Sequence, residues 1–138
     1  MTVVVIIGLL CAVAIPGINK LKRNSQNNRF ISDLRAFTQA FETYSARSGR
    51  WPPDGTPAVV PTGMSGEFRN AAWTANTAVG GQWDWDYLQF GITAGISVYQ
   101  PTVTSAQMLE IDRKIDDGNL STGNFRSRAS GYIYILQR

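Results

Sequence analysis

The chain has 138 residues, a net charge of +3, one cysteine and no histidine. This length allows one long helix and one compact head, but hardly two domains. A single cysteine excludes an intramolecular disulfide, and the lack of histidine removes His-ligated zinc and the Ser/His and Cys/His nucleophile systems. The modest charge gives no reason to expect a nucleic acid as partner. We therefore expect a protein without catalytic residues.

An uncharged apolar run, VVVIIGLLCAVAI, occupies residues 3–15. As a helix it covers about 20 Å, whereas the hydrocarbon core of a bilayer is about 30 Å thick. No basic flank precedes the run and no small-residue cleavage site follows it, so it is unlike a secretory signal peptide. We expect a membrane helix whose natural beginning, about six apolar residues, is missing from this sequence.

A polar continuation leads from the run into the head. Pro16 predicts a bend in the helix without necessarily ending it. Lys20, Lys22 and Arg23 are expected at the membrane surface or paired with acidic groups on a neighbouring molecule. These features assign residues 1–29 to a hydrophobic membrane or filament-core helix with a polar extension.

From residue 30 onward, apolar side chains recur at alternating spacings of four and three, which places them on one face of a helix over 30–47. The predicted head-core residues on this face are Phe30, Leu34, Phe37, Phe41 and Tyr44. Gly49 suits the left-handed position that ends a helix, and Pro52-Pro53 prevents continuation.

The remaining elements of the head, which is expected over 30–138, follow from turn signals and alternation. We predict a loop over 49–80, a hairpin over 82–99, a short helix over 105–116 and a strand over 131–136. The first hairpin strand alternates Trp83 and Trp85 with Asp84 and Asp86, which indicates a half-buried strand. The last strand, GYIYIL, is apolar on both faces and therefore expected to be central or covered. The predicted fold class is α+β: the hydrophobic half of a long N-terminal helix protrudes, and its amphipathic half packs against a small antiparallel sheet.

The stretch VVVIIGLLCAVAIP, the aromatic helix stripe and the Gly49-x-Trp51-Pro52 motif resemble the type IV pilin and type II secretion pseudopilin superfamily. The resemblance is strong over residues 1–53 and weaker beyond them, and the pilin-like fold is part of what it implies. In that family a basic leader ends in glycine and is followed by phenylalanine and a glutamate; the leader is cleaved and the new terminus is methylated. Those residues are absent here, and the missing glutamate is the one that pairs with a neighbour's amino terminus during assembly.

The resemblance implies a structural subunit rather than an enzyme. The subunit would be held in the bacterial inner membrane by a single helix, with its head in the periplasm, and then extracted into a periplasmic pseudopilus or an extracellular pilus. Its partners would be identical subunits in a helical filament, the inner-membrane assembly machinery, and minor pilins or pseudopilins. Protein secretion, motility, adhesion and DNA uptake all remain open as uses of such a filament. The implied filament-core residues are Val3, Val4, Val5, Ile6, Ile7, Gly8, Leu9, Leu10, Ala12, Val13, Ile15 and Pro16.

Acidic side chains crowd the end of the short helix, where the helix dipole disfavours negative charge. The resemblance implies calcium here, because major secretion pseudopilins carry a calcium site in the C-terminal part of the head. Asp116, Asp117 and Asn119 have the oxygen ligands that calcium prefers. The alternative is an ordinary capped turn in which Arg126 or Arg128 neutralises the acids, with no cofactor.

Two further patterns have both a functional and a structural interpretation. Asp84 and Asp86 could form a carboxylate pair for glycosidic chemistry, but any two acids on one strand face give the same pattern. The aromatic residues of the head are expected to cover the long helix as core, and the alternative is a platform for sugar rings. That alternative would make the protein a membrane-tethered carbohydrate-binding domain that does not polymerise. The aromatic residues in question are Trp51, Trp73, Trp83, Trp85 and Tyr87.

Overall fold

The computed structural model describes the backbone from Thr2 onward and the side chains from Asn19 onward. Three helices and four strands are described: α1 (Thr2–Ser48), α2 (Asn70–Thr74), β1 (Gln82–Tyr87), β2 (Ala94–Tyr99), α3 (Ser105–Ile115), β3 (Phe125–Arg128) and β4 (Gly131–Gln137). The strands form an antiparallel sheet in the order β1-β2-β4-β3. The α+β class predicted from the sequence is confirmed.

The packed half of α1 carries the predicted apolar stripe. Phe30, Leu34, Phe37 and Phe41 are buried, and Tyr44 is half-buried against the same core. The helix ends where the sequence predicts, because Gly49 takes a φ of +76° and its N–H donates to the Ser45 carbonyl at 2.8 Å. Burial of four large apolar side chains on one stripe is what holds this half of α1 against the sheet.

The inner face of the sheet meets α1 through aromatic rings. Phe41 stacks on Trp85 with ring centroids 4.0 Å apart, and Phe30 stacks on Trp83 at 5.1 Å. Trp73, from α2, lies edge-on to Phe37 at 5.0 Å. These stacked and edge-to-face contacts form the centre of the head, which has no disulfide to support it.

The outer face of the sheet is also covered, which corrects the sequence prediction of a half-buried β1. The connection between β1 and β2 folds back over this face and buries Ile92 against Ile133 and Ile135. Leu88 and Phe90 in this connection have φ values of +58° and +51°. Strand alternation identified the two faces of β1 correctly, but it carries no information about a loop that returns to cover one of them.

The structure contains two elements, α2 and β3, that the sequence did not predict. The region 49–80 contains α2 as well as loops, and β3 was not predicted at all. β3 is the four-residue strand FRSR, whose short polar sequence has no strand signal of its own. It forms because β4 pairs with it, and the same pairing makes β4 an interior strand, as predicted.

Helix α3 begins as the sequence predicts and crosses α1 near the start of the head. Its cap is Thr104, whose side chain accepts the N–H of Gln107 at 3.2 Å. The amide oxygen of buried Asn27 accepts from Gln107 Nε2 at 2.9 Å, and its amide nitrogen donates to Glu110 Oε2 at 3.1 Å. A buried amide that is bonded on both sides fixes the register of α3 on α1.

Candidate functional sites

The predicted filament-core residues between positions 3 and 16 lie outside the residues whose side chains are described. Residues 19–23 of α1 are exposed, including Leu21 at 69%, and contact with the head begins around Arg23 and Asn27. Arg23 pairs with Glu110 of the same chain at 3.2 Å, while Lys20 and Lys22 are exposed. Among the residues that the structure describes, no helix has an apolar stretch long enough to cross a membrane.

The acidic cluster consists of Asp112, Asp116 and Asp117 at the C-terminal end of α3. Each offers a carboxylate oxygen, and these atoms lie within 4.8 Å of one another. Asp112 is fully buried, and neither of its carboxylate oxygens accepts a hydrogen bond from any described residue. Burial, and then the charges of Asp116 and Asp117, raise the pKa of Asp112 to about 6.

The loop after α3 is ordered by the same acids. Asp116 Oδ2 accepts the backbone N–H groups of Asn124 at 2.7 Å and Phe125 at 3.0 Å, which positions the start of β3. Gly123 has a φ of +74°, and a Cβ there would lie 2.1 Å from Asp116 Oδ2. The glycine is therefore required for this close approach of backbone and carboxylate.

The carboxylate chemistry of the acidic cluster fits a hard divalent cation. Calcium prefers several carboxylate oxygens, and a buried carboxylate without a partner is otherwise expensive. The three clustered acids are not the predicted set of ligands, since Asp112 lies beside Asp116 and Asp117. Asn119 Oδ1 instead accepts the N–H of Ser121 at 2.9 Å.

The outer-face network consists of Asp84, Asp86, Ser97 and Arg128. Arg128 Nη2 lies 3.0 Å from Asp84 Oδ2, and its Nε lies 3.5 Å from Asp86 Oδ2. Ser97 donates its hydroxyl to Asp86 and accepts from Arg128 Nε at 3.1 Å. The Phe90 ring lies over the guanidinium, with 4.6 Å between the Arg128 Cζ and the ring centroid.

This network shows which groups Arg128 pairs with and which environment Asp84 and Asp86 occupy. The alternative in which Arg128 neutralises the acids after α3 is wrong, because Arg128 pairs with the two strand carboxylates. Burial, and then the charge of Asp86, raise the pKa of Asp84 to about 7, and burial also raises the pKa of Asp86. At 5% and 4% exposure, the two carboxylates are closed off from a sugar substrate.

Most of the tryptophans belong to the core, as the favoured interpretation predicts. Trp73, Trp83 and Trp85 are each no more than 1% exposed. Trp51 and Tyr87 are half-buried at the C-terminal end of α1. A broad sugar platform made from all five aromatic residues is therefore excluded by the burial of three of them.

A distal cleft lies beside those two half-buried rings. It has a volume of about 450 Å³ and is lined by Tyr44, Arg50, Trp51, Pro53, Asp54, Thr62, Gly63 and Tyr87. The sequence does not predict this cleft, because its lining comes from α1, from two parts of the connection between α1 and α2, and from β1, and no local pattern links them. The Gly49-x-Trp51-Pro52 motif was the one local signal at this position.

Compared with known proteins, the chain matches no protein-family model, no curated protein and no solved structure. What the fold defines is a class: an α+β head in which a long N-terminal helix lies on a small antiparallel sheet.

Proposed function

We propose that this protein is the structural subunit of a filament of the type IV pilus or type II secretion pseudopilus kind, and that it polymerises through its N-terminal helix. The observation that carries the proposal is the division of α1. Residues 30–44 present a stripe to the head, whereas residues 19–23 are exposed and lead toward the apolar run of residues 3–15. A helix built in this way can pack on its own head with one half and contact other molecules with the other half.

Physical considerations support an assembly role for the apolar run. Each aliphatic residue favours the bilayer by only about 0.3 to 0.6 kcal/mol, so a short run is held weakly in lipid. A bundle of identical apolar helices offers an alternative environment, and Gly8 and Ala12 would allow helices to approach closely. The inner membrane would hold the subunit before assembly, and the assembly machinery would extract it.

Filament formation by the full chain, expressed with its assembly machinery, tests this proposal. Leu10→Lys places a charge within the run and should abolish the filaments seen by electron microscopy, because a helix bundle cannot solvate it. Leu21→Lys is the matched control: it adds the same charge at a position that is 69% exposed and should leave filaments intact. Filaments that persist with Leu10→Lys, or a parent chain that stays monomeric beside its machinery, would overturn the proposal.

The alternative function, a membrane-tethered carbohydrate-binding domain that does not polymerise, has weaker support. It depends on a platform of several exposed tryptophans, whereas Trp73, Trp83 and Trp85 are buried and only Trp51 of the four is partly exposed. The buried trio also accounts for the core of the head, which any filament subunit needs.

Calcium is the cofactor that we propose for the acidic cluster. Its support is the buried, unpartnered carboxylate of Asp112 beside Asp116 and Asp117. Adding calcium chloride to the chelator-treated full chain should raise its melting temperature, since a ligand that binds only the folded state stabilises it. Asp112→Asn should remove this shift, while Asp33→Asn, outside the cluster, should retain it. An equal shift in the parent and Asp112→Asn, or no shift in the parent, would overturn the calcium proposal.

A further inference from the structure

We propose that the distal cleft binds a neutral sugar ring. The cleft lies at the C-terminal end of α1, the end opposite to the apolar run, so it would face away from a membrane or filament core. Its volume of about 450 Å³ is within the range of roughly 300 to 1,000 Å³ that small-molecule sites occupy. The inference goes beyond filament formation and does not depend on it.

One wall of the cleft is an aromatic ring held in a defined position. Trp51 packs on buried Trp85, with centroids 5.6 Å apart and planes inclined at 42°, and its Nε1 donates to Gln137 Oε1. The ring is thereby held from behind while part of its surface stays exposed. The face of an aromatic ring carries negative potential and attracts the weakly positive C–H groups of a sugar ring.

The polar groups of the cleft favour a neutral ligand. Arg50 and Asp54 both line it, so a charged ligand would meet one group of its own sign. Sugar hydroxyls donate and accept hydrogen bonds and can use both groups. Asp54 Oδ1 accepts the backbone N–H of Tyr87 at 2.8 Å, which holds the carboxylate in place and occupies only one of its two oxygens.

The shape of the cleft depends on a glycine. Gly63 has a φ of +89°, and a Cβ there would lie 2.8 Å from the Tyr44 hydroxyl. Because glycine has no side chain, the Tyr44 ring can close this side of the cleft. The Arg47 guanidinium lies over the same ring, with 5.9 Å between Cζ and the ring centroid. Tyr44 is therefore a wall rather than a stacking surface, and stacking falls to Trp51 and Tyr87.

Binding can be measured on the full chain in a zwitterionic detergent that contains no sugar. The probes are cellobiose, lactose and N,N′-diacetylchitobiose, followed by tryptophan fluorescence and saturation-transfer NMR. We expect saturable binding of at least one of these sugars. Trp51→Ala should weaken it at least tenfold while the near-ultraviolet circular dichroism of the buried tryptophans persists.

A second variant separates recognition from folding. Asp54→Asn keeps an oxygen for the Tyr87 N–H but loses the charge, and should weaken sugar binding without lowering the melting temperature. Val59→Ala, at a position that is 54% exposed and outside the cleft, should bind as the parent does. The inference is overturned if none of the three sugars binds saturably, or if binding survives Trp51→Ala in a folded head. Because the assay uses detergent-dispersed protein, its outcome is independent of whether filaments form.

Discussion

The two faces of β1 carry opposite chemistry, yet both are buried. The inner face places Trp83 and Trp85 against α1, whereas the outer face places Asp84 and Asp86 against Arg128. Apolar burial requires mainly area and close packing, but buried charges require a partner at the right distance and angle. Substitutions on the inner face should therefore lower the free energy of unfolding in proportion to the side-chain volume that they remove. On the outer face, the loss should depend on which charged partner is removed.

Trp85→Ala should have the largest effect on the head. The ring is fully buried and stacks on Phe41, so its loss leaves a large cavity and should lower the free energy of unfolding by about 3 to 5 kcal/mol. Urea denaturation of the full chain in detergent measures this. Leu88→Ala, at a 65% exposed site of the same hairpin, should change it by less than about 0.5 kcal/mol. Similar losses in both variants would contradict the inner-face account.

Arg128→Gln should be the most damaging change on the outer face. It leaves the buried carboxylates of Asp84 and Asp86 without their cation, which should lower the free energy of unfolding by about 3 kcal/mol at pH 8. The loss should shrink at pH 5, where the carboxyl groups take up protons. Arg126→Gln, two residues earlier on β3, is the control and should cost much less. Equal losses in both arginine variants would show that the network is not the cause.

Gly123→Ala tests how β3, and with it Arg128, is positioned. A Cβ at Gly123 would overlap Asp116 Oδ2, and the φ of +74° is strained for alanine. We expect a loss of about 2 kcal/mol in unfolding free energy. Gly91→Ala has a similar φ of +75° and no atom within 4 Å of its would-be Cβ, so it measures the backbone strain alone. If the two variants lose the same stability, the carboxylate contact contributes nothing.

Asp84→Asn should have the smallest effect and the opposite sign. Because the pKa of Asp84 is about 7 in the folded state and lower in the unfolded chain, the folded state binds more protons between about pH 4 and pH 7. Stability from this group is therefore present at low pH and is lost as pH rises through 7. Asp84→Asn removes that loss and should stabilise the head by about 1 kcal/mol at pH 8, while Asp86 retains Arg128. The raised pKa of Asp84 would be contradicted if the stability of the parent rises over this pH range, or if Asp84→Asn leaves the stability unchanged.

Predictions from the sequence succeeded where one local pattern was enough. The spacing of Phe30, Leu34, Phe37 and Phe41 predicted the buried stripe of α1, and Gly49 predicted its end. The assignment of Asp116, Asp117 and Asn119 as calcium ligands stays a prediction. Asp112 is not among the predicted ligands, because its burial depends on packing that no spacing reveals.

Periodicity, turn chemistry and helix caps act over a few residues, so local patterns were enough to predict the long helix, the hairpin, the central last strand and the α+β class. Which polar groups meet depends on the packing of distant parts of the chain. Arg128 reaches Asp84 from 44 residues away, β3 exists because β4 pairs with it, and the distal cleft joins Trp51 to Tyr87 across separate elements. The register and closure of the whole sheet determine which distant groups lie close together. Hydrogen-bond geometry over a few ångströms then stabilises one arrangement of them.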